Sequence, residues 1–505
     1  MSETIDLRAD AKGSPYVRPW KKLVTAGRAQ EGLREDWRQH LRMLQKDVGF
    51  ECMRFHGLFH EDMHVYREKA DGTPIYNWQY MDDLIDAMLS CGIRPCAELA
   101  PMPYAMASDL SKTGGFWSAN WSTPKDFERW GALVRQFVVH CVNRYGLPEV
   151  RRWYFELWNE PMGHMRQQDY FTLYVHTVKA IKSVDAGLKV GGPASSDYQN
   201  GEAPWVRDFL GFCDRERLPL DFISVHPYPC VWPKGADGKQ RVVYRPEHAL
   251  REDLRWLRRT IDASPFPKAE TLLTEWNASA NNNGELFLDT AYMAPFVVQN
   301  NIDAIGLVDS LGFWVFTDVF EEMGAPDAPF LGYFGMMTVQ GIPKPSYNGY
   351  RLLARLGGES LGQGEGWFAA RREDTVQILM WNYCHFKEGY SNIPGVRPTI
   401  EEAVRADRYS VFEERGPRSF DVRVGGLTGC WRLLEHACDR ERGSAWDAWV
   451  ANGAPLSPDE DELALLMAAA RPACRRSLVE GTKEFRSRVE VAPHGVTLLE
   501  LARLR

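Results

Sequence analysis

Between about residue 20 and residue 345, short apolar runs alternate with longer stretches whose apolar positions recur every three to four residues. The short runs, residues 23–27, 52–56, 95–100, 153–159, 189–193, 222–228, 271–277 and 312–317, read as strands. Several are apolar almost to their last residues, as parallel strands covered on both faces must be. Between them, Tyr80, Leu84, Ile85, Met88 and Leu89 keep a helical rhythm that Gly92 ends as a C′ residue. Tyr174, Val178 and Ile181 keep another after Asp169. Eight β-type runs with helices between them predict an α/β fold, a (β/α)8 TIM barrel; a doubly wound open sheet shares the local pattern and is the alternative.

After Lys344-Pro345 the texture changes. Residues 376–382, 419–424 and 489–502 read as strands with partial alternation and no regular helical crossovers. Ser457-Pro458 supplies an N-cap and an N1 proline for one helix over 463–470. The expected division is a barrel over residues 19–345 and an accessory C-terminal β-sandwich with a short helical insertion over residues 346–505. Residues 1–18 could join either unit.

Composition narrows the class. Of the 505 residues, 44% are hydrophobic and 25% charged, which excludes wholesale disorder, a collagen-like chain and a coiled coil. Acidic residues outnumber basic ones by 68 to 60, and short runs such as Arg255-Trp256-Leu257-Arg258-Arg259 do not make the footprint a nucleic acid needs. No apolar run is long enough to span a membrane, and Met1-Ser2-Glu3-Thr4-Ile5-Asp6 has neither the basic nor the apolar region of a secretory signal. The ten cysteines show no CxxC and read as buried free thiols of a reducing compartment, so a cytoplasmic protein is expected. No cofactor or metal is expected either. His56, His60 and His64 have helical spacing, but His56 ends a strand and HExxH is absent. Gly358-Glu359-Ser360-Leu361-Gly362 matches the GxSxG elbow without the strand that must precede it. The 18 Trp, 19 Tyr and 24 Phe enlarge a core, and they also supply platforms for sugar rings.

The chemistry lies at strand ends. Glu156-Leu157-Trp158-Asn159-Glu160-Pro161 ends the fourth run and Thr274-Glu275-Trp276-Asn277 the seventh. In a barrel these ends face each other across the mouth, where two carboxylates can flank one small substrate. Glycoside hydrolysis needs such a pair: one acid protonates the leaving oxygen, and the other attacks the anomeric carbon or activates water. A single loop glutamate is ordinarily a solvated charge, but both of these follow apolar strands and adjoin tryptophans. Asn159 can donate its amide to a sugar 2-hydroxyl. Tyr228 can hydrogen-bond Glu275 and hold it ionised, and Trp314 can stack on a sugar face. Either aromatic alone would ordinarily be core.

With these residues in place the chain resembles glycoside hydrolase family 39, and within it the bacterial β-xylosidases. The matching stretches are residues 54–62, 156–161, 189–194, 226–228, 274–275 and 313–322. Asn159-Glu160-Pro161 is shared by many retaining barrel glycosidases; the segments around His56-Gly57 and Asp318-Val319-Phe320-Glu321-Glu322 narrow the match to the family. The resemblance implies Glu160 as acid/base and Glu275 as nucleophile of an anomer-retaining double displacement. It also implies that His56, Phe116, Asn159, His226, Tyr228, Trp314, Glu321 and Glu322 line the subsite for the terminal sugar. The expected substrate is a terminal β-D-xylosyl unit of a small xylo-oligosaccharide. Rival readings are an α-L-arabinosidase, an α-L-iduronidase-like enzyme, and a sugar-binding protein without catalysis.

Overall fold

Alternation along the barrel strands decides what fills the interior. The computed structural model describes residues 2–198, 202–281, 284–324, 328–394, 401, 407–479 and 483–504. The strands β1 (Leu23–Arg28), β2 (Cys52–His56), β3 (Arg94–Leu99), β4 (Tyr154–Leu157), β5 (Lys189–Ser195), β6 (Phe222–Val225), β7 (Glu270–Trp276) and β8 (Ser310–Phe313) form one closed parallel barrel. Each pairs with the next in sequence, and β8 closes on β1. The TIM barrel forms and the open sheet does not. The eighth strand ends earlier than expected, so Trp314 stands one residue past it.

Side chains two apart on a strand share a face. Leu23, Cys52, Cys96, Tyr154, Phe222 and Leu272 make one apolar layer inside the barrel, towards its N-terminal end. One step further along the strands the inward positions are Arg54, Glu98, Glu156, Ser224 and Thr274, all fully buried. Their outward neighbours, Met53, Phe55, Ala97, Leu99, Phe155, Leu157, Ile223 and Val225, join the core beneath the helices. At Gly191 on β5 a Cβ would lie 2.1 Å from the Phe222 carbonyl oxygen, so only glycine fits that crossing.

The helix Gln79–Ser90 buries Met81, Leu84, Ile85 and Met88, while Tyr80 stays exposed; the apolar stripe begins one residue later than its spacing suggests. Helix Met293–Asp303 is buried on every side because it lies between the barrel and the C-terminal sheets. Its Gln299 side-chain oxygen accepts from the Trp381 indole at 3.2 Å. Helix Pro345–Arg355 also packs on the barrel, with the Tyr347 hydroxyl donating to Asp47 at 2.9 Å. Barrel packing thus extends about one helix beyond the break at Lys344-Pro345.

The rest is a β-sandwich. A seven-stranded sheet, which includes Thr375–Asn382, Gly495–Arg503 and Trp431–Cys438, faces a three-stranded sheet of Glu3–Arg8, Arg418–Gly425 and Glu484–Val491. Ile5, Leu7, Ile378, Phe420, Val422 and Leu501 are among the residues filling the space between them. The N-terminal strand therefore belongs to the sandwich, paired in parallel with Arg418–Gly425. The single run expected over 489–502 is two strands in different sheets, broken where His494 adopts a left-handed conformation and the Gly495 amide donates to Ala492. The expected helix spans Glu460–Ala469, and its N-cap is Asp459 rather than Ser457, because Asp459 and Glu462 form a reciprocal capping box that leaves Ser457-Pro458 outside. Ser360 lies within the strand Glu359–Gly364, far from any nucleophile elbow. Among the described residues no helix is long and apolar enough to cross a membrane.

Candidate active site

The mouth of the barrel is built on the buried polar layer. Arg54 projects inward from β2 and meets four acceptors, three on other strands and Asn159 just past the end of β4. Its Nε lies 2.5 Å from Glu156, its Nη1 2.7 Å from Glu275, and its Nη2 2.7 Å from Glu98 and 2.8 Å from Asn159 Oδ1. Using the Asn159 oxygen in this way leaves its amide hydrogens free to face the cavity. Burial opposes the Arg54 charge, but Glu156, Glu98 and Glu275 outweigh it and hold the guanidinium pKa well above its ordinary value.

Glu275 reaches the interior through an irregularity in β7. Pairing with β8 shifts register between Leu273 and Trp276, so Thr274 and Glu275 both serve the mouth while Trp276 stacks outward on Phe296. One Glu275 oxygen takes the Arg54 contact and lies 3.4 Å from His56 Nε2; the other accepts from the Tyr228 hydroxyl at 3.0 Å. Burial alone would raise the Glu275 pKa. The charge of His226, the hydrogen bond from His56 and the charge of Arg54 more than offset this and keep it well below the usual carboxylate range. His56 is itself made a cation. Burial opposes its charge, yet Glu98 at 2.5 Å and Glu275 push its pKa up to about 10.

Glu160 comes from the loop after β4. Trp158 and Glu160 are both left-handed, with φ of 67° and 42°, and the Glu160 amide is tied to the Ala194 carbonyl at 3.2 Å. For non-glycine residues this backbone costs roughly 1–3 kcal/mol each and is characteristic of functional turns. The Glu160 carboxyl lies 2.8 Å from His226 Nδ1. The Thr274 hydroxyl spends its hydrogen on Glu156 at 2.7 Å, so its oxygen accepts from His226 Nε2–H at 3.1 Å.

One oxygen each of Glu160 and Glu275 and a ring nitrogen of His226 lie within 4.8 Å of one another. Such a trio has the spacing of a cation site, but the Glu275 oxygens are already engaged by Arg54, His56 and Tyr228. The positive charges of Arg54 and His56 beside them oppose an added metal ion.

A cavity of about 400 Å³ opens over the pair, and His56, Phe116, Asn159, Glu160, Tyr228, Glu275, Trp314 and Glu322 line it. His226 stands behind Glu160 in the wall of an adjoining cavity. Phe116 is 69% exposed, at the rim. Glu322 is part of the cavity wall, and burial with the nearby charges of Glu275 and Glu98 raises its pKa to about 7 despite His56. Glu321 stands apart. Its carboxylate is paired with Arg28, which also holds Asp62 at 2.6 Å, so it is turned to a salt bridge rather than to the cavity.

Several residues of this site were not singled out by sequence reasoning. Arg54, Glu98 and Glu156 are charges inside otherwise apolar strands, a signal visible at every second position. Trp117, Trp121 and His164 form an aromatic wall in which Trp121 stacks on His164 at 4.7 Å and meets Trp117 edge-on at 5.8 Å.

The model of glycosyl hydrolases family 39 matches residues 3–482. A β-xylosidase of Caldicellulosiruptor saccharolyticus is 37% identical over 95% of this chain and 95% of its own, and one of Geobacillus stearothermophilus is 32% identical over 97% and 94%. The crystal structure of a monomeric β-xylosidase from Caulobacter crescentus CB15 superposes with a TM-score of 0.89 at 30% identity, covering both chains completely. The chain belongs to glycosyl hydrolase family 39.

Proposed function

We propose that the protein is a retaining, exo-acting β-D-xylosidase that removes terminal xylose from short xylo-oligosaccharides in xylan breakdown, in the cytoplasm. The observation that carries this reading is the approach of the Glu160 and Glu275 oxygens to within 4.8 Å across one sugar-sized cavity. Retaining glycosidases hold their carboxyl groups about 5–5.5 Å apart, whereas inverting ones leave about 6.5–9.5 Å for a water. Glu275, kept ionised, attacks the anomeric carbon. The bond to the leaving oxygen breaks as Glu160 delivers its proton there, with His226 steadying the acid. Esterified Glu275 no longer carries charge, so Glu160 can stay ionised and take a proton from water, whose oxygen displaces Glu275. Asn159, its oxygen fixed by Arg54, offers its amide to the 2-hydroxyl, and Trp314, Glu322 and Phe334 close the far end so that single units are released.

The named relatives supply the choice of xylose. An iduronide is disfavoured by charge. Among the described residues lining the cavity there is no lysine or arginine to meet a uronate carboxylate, and Glu322 stands there instead. The decisive experiment is hydrolysis of aryl β-D-xyloside with the first-formed anomer followed by NMR and Glu275→Ala as control. β-Xylose should appear first. First appearance of α-xylose, or turnover that survives in the Glu275 variant, would overturn the assignment.

A further inference from the structure

A second cavity, of about 740 Å³, shares Glu160, Tyr228 and Ala280 with the first. Glu275 lines only the first cavity, and Glu160 borders both. In a double displacement the acid stands beside the leaving oxygen, and the leaving group lies on the far side of the scissile bond from the nucleophile. A space that begins at Glu160 and does not touch Glu275 is therefore where the departing part of a substrate has to go.

The wall of this space carries an aromatic platform that folding does not explain. Trp232 lines the cavity and remains 36% exposed, although most tryptophans of this chain are buried. It sits on an anchored hairpin rather than a free loop. Cys230–Val231 pairs with Val242–Tyr244, and the Pro229 and Pro233 carbonyls accept from the Arg245 and Arg241 amides, each at 2.9 Å. A third strand, Ser391–Asn392, comes from the C-terminal half and braces the hairpin from behind. Polar groups share the cavity wall. The Ser196 hydroxyl donates to the Met162 sulfur at 3.5 Å, and the Asp197 carboxylate is held in place by Ser195 and the Trp205 amide. A flat apolar face combined with a hydroxyl and a fixed carboxylate suits a pyranose ring, which has apolar C–H faces and hydroxyls at its edge.

We propose that this second cavity is the leaving-group subsite, that Trp232 is its stacking platform, and that it accepts one xylosyl ring of the departing chain. The proposal rests on the retaining-xylosidase reading and adds a specificity determinant to it. Part of that subsite is then held in shape by the C-terminal half through Ser391–Asn392.

The test compares two substrates with the same glycosyl unit. Xylobiose places a sugar in the second cavity, whereas β-D-xylosyl fluoride has a single-atom leaving group that cannot reach Trp232. Trp232→Ala should lower kcat/KM for xylobiose about tenfold, the scale of losing one aromatic anchor, and leave the fluoride within about twofold. Trp232→Phe should restore most of the loss. If the alanine variant melts well below the parent, Trp232→Leu takes its place, since it keeps apolar packing and removes the flat face. Equal losses on both substrates, or none on xylobiose, would overturn the subsite while leaving the activity intact. Wild-type protein inert towards both substrates would instead remove the activity reading, and the subsite with it.

Discussion

Two glutamates of one strand, Glu270 and Glu275 on β7, show how the barrel separates a structural carboxylate from the one proposed to react. At the floor, Glu270 is held by Lys22, by Lys189 at 2.6 Å and by the Tyr154 hydroxyl at 2.7 Å, and Lys189 also lies 4.4 Å from the Tyr154 ring centre. Burial opposes its charge, but these cations and hydrogen bonds pull its pKa down to about 2. At the mouth, Glu275 is held as firmly by Arg54, His56 and Tyr228, and its pKa is also depressed. Ionisation and ion pairing therefore do not distinguish the two. The difference lies in what each faces: Glu275 borders a cavity and a second carboxyl, whereas Glu270, partly open to solvent, meets only two lysines and a tyrosine hydroxyl.

The largest effect should come from removing the reactive member. Glu275→Ala is expected to cost about 10⁴-fold or more in kcat on aryl β-xyloside with the melting temperature nearly kept, because the covalent step disappears. Glu270→Gln should leave kcat within about twofold, and a comparable loss there would break the comparison. Next in size is Arg54, on which the mouth depends. Arg54→Ala strands Glu156 without its cation in a buried layer and leaves Glu98 with His56 alone, so denaturant unfolding should show a loss of about 3–5 kcal/mol. Arg54→Lys keeps the charge without the planar fork that contacts four partners, and should lower kcat by about 100-fold with a smaller loss of stability.

The sequence shows Glu275 and Glu160 clearly and Arg54 poorly, for a physical reason. A charge that ends a buried apolar run stands out, and in a parallel barrel every run ends at the same rim. Arg54 lies inside its run, and its meaning depends on which inward positions of β3, β4 and β7 share its height, which only closure of the barrel decides. Glu321 shows the same limit, since its partner Arg28 is 293 positions away. The barrel itself is legible because strands buried on both faces are apolar over most of their length. The sandwich is less so: Ala473–Val479 is exposed at nearly every position and shows no alternation, and the sheet change near residue 494 is made by His494 rather than by a glycine that would mark it.

The floor should reveal itself through acid. Glu270 has a folded pKa of about 2 against roughly 4.3 in the unfolded chain, so its contribution is complete above pH 4.3 and is lost as pH falls towards 2. The full difference would be worth about 3 kcal/mol, which solvent screening at this partly exposed carboxylate reduces to about 2 kcal/mol, and Glu270→Gln should remove this part of the pH dependence while lowering stability at neutral pH. Unfolding free energies measured between pH 2 and pH 6 for both proteins would check it. Parallel curves for the variant and the parent would show that the floor pair is not what the low pKa implies.

The smallest expected effect sharpens the mouth. Glu322 lines the cavity with a pKa raised to about 7, so it changes charge where Glu270 and Glu275 do not. Above that value it is ionised and offers two acceptor oxygens to sugar hydroxyls; below it, one oxygen carries a proton and an acceptor site is lost. KM for xylobiose should therefore rise about two- to threefold as pH falls through 7, with kcat following a different profile set by the Glu160–Glu275 pair. Glu322→Gln cannot titrate, so its KM should be higher than that of the parent at pH 8 and flat with pH. A KM break that survives in Glu322→Gln would move the titration to another group and leave Glu322 as a wall of the cavity rather than a pH-dependent contact.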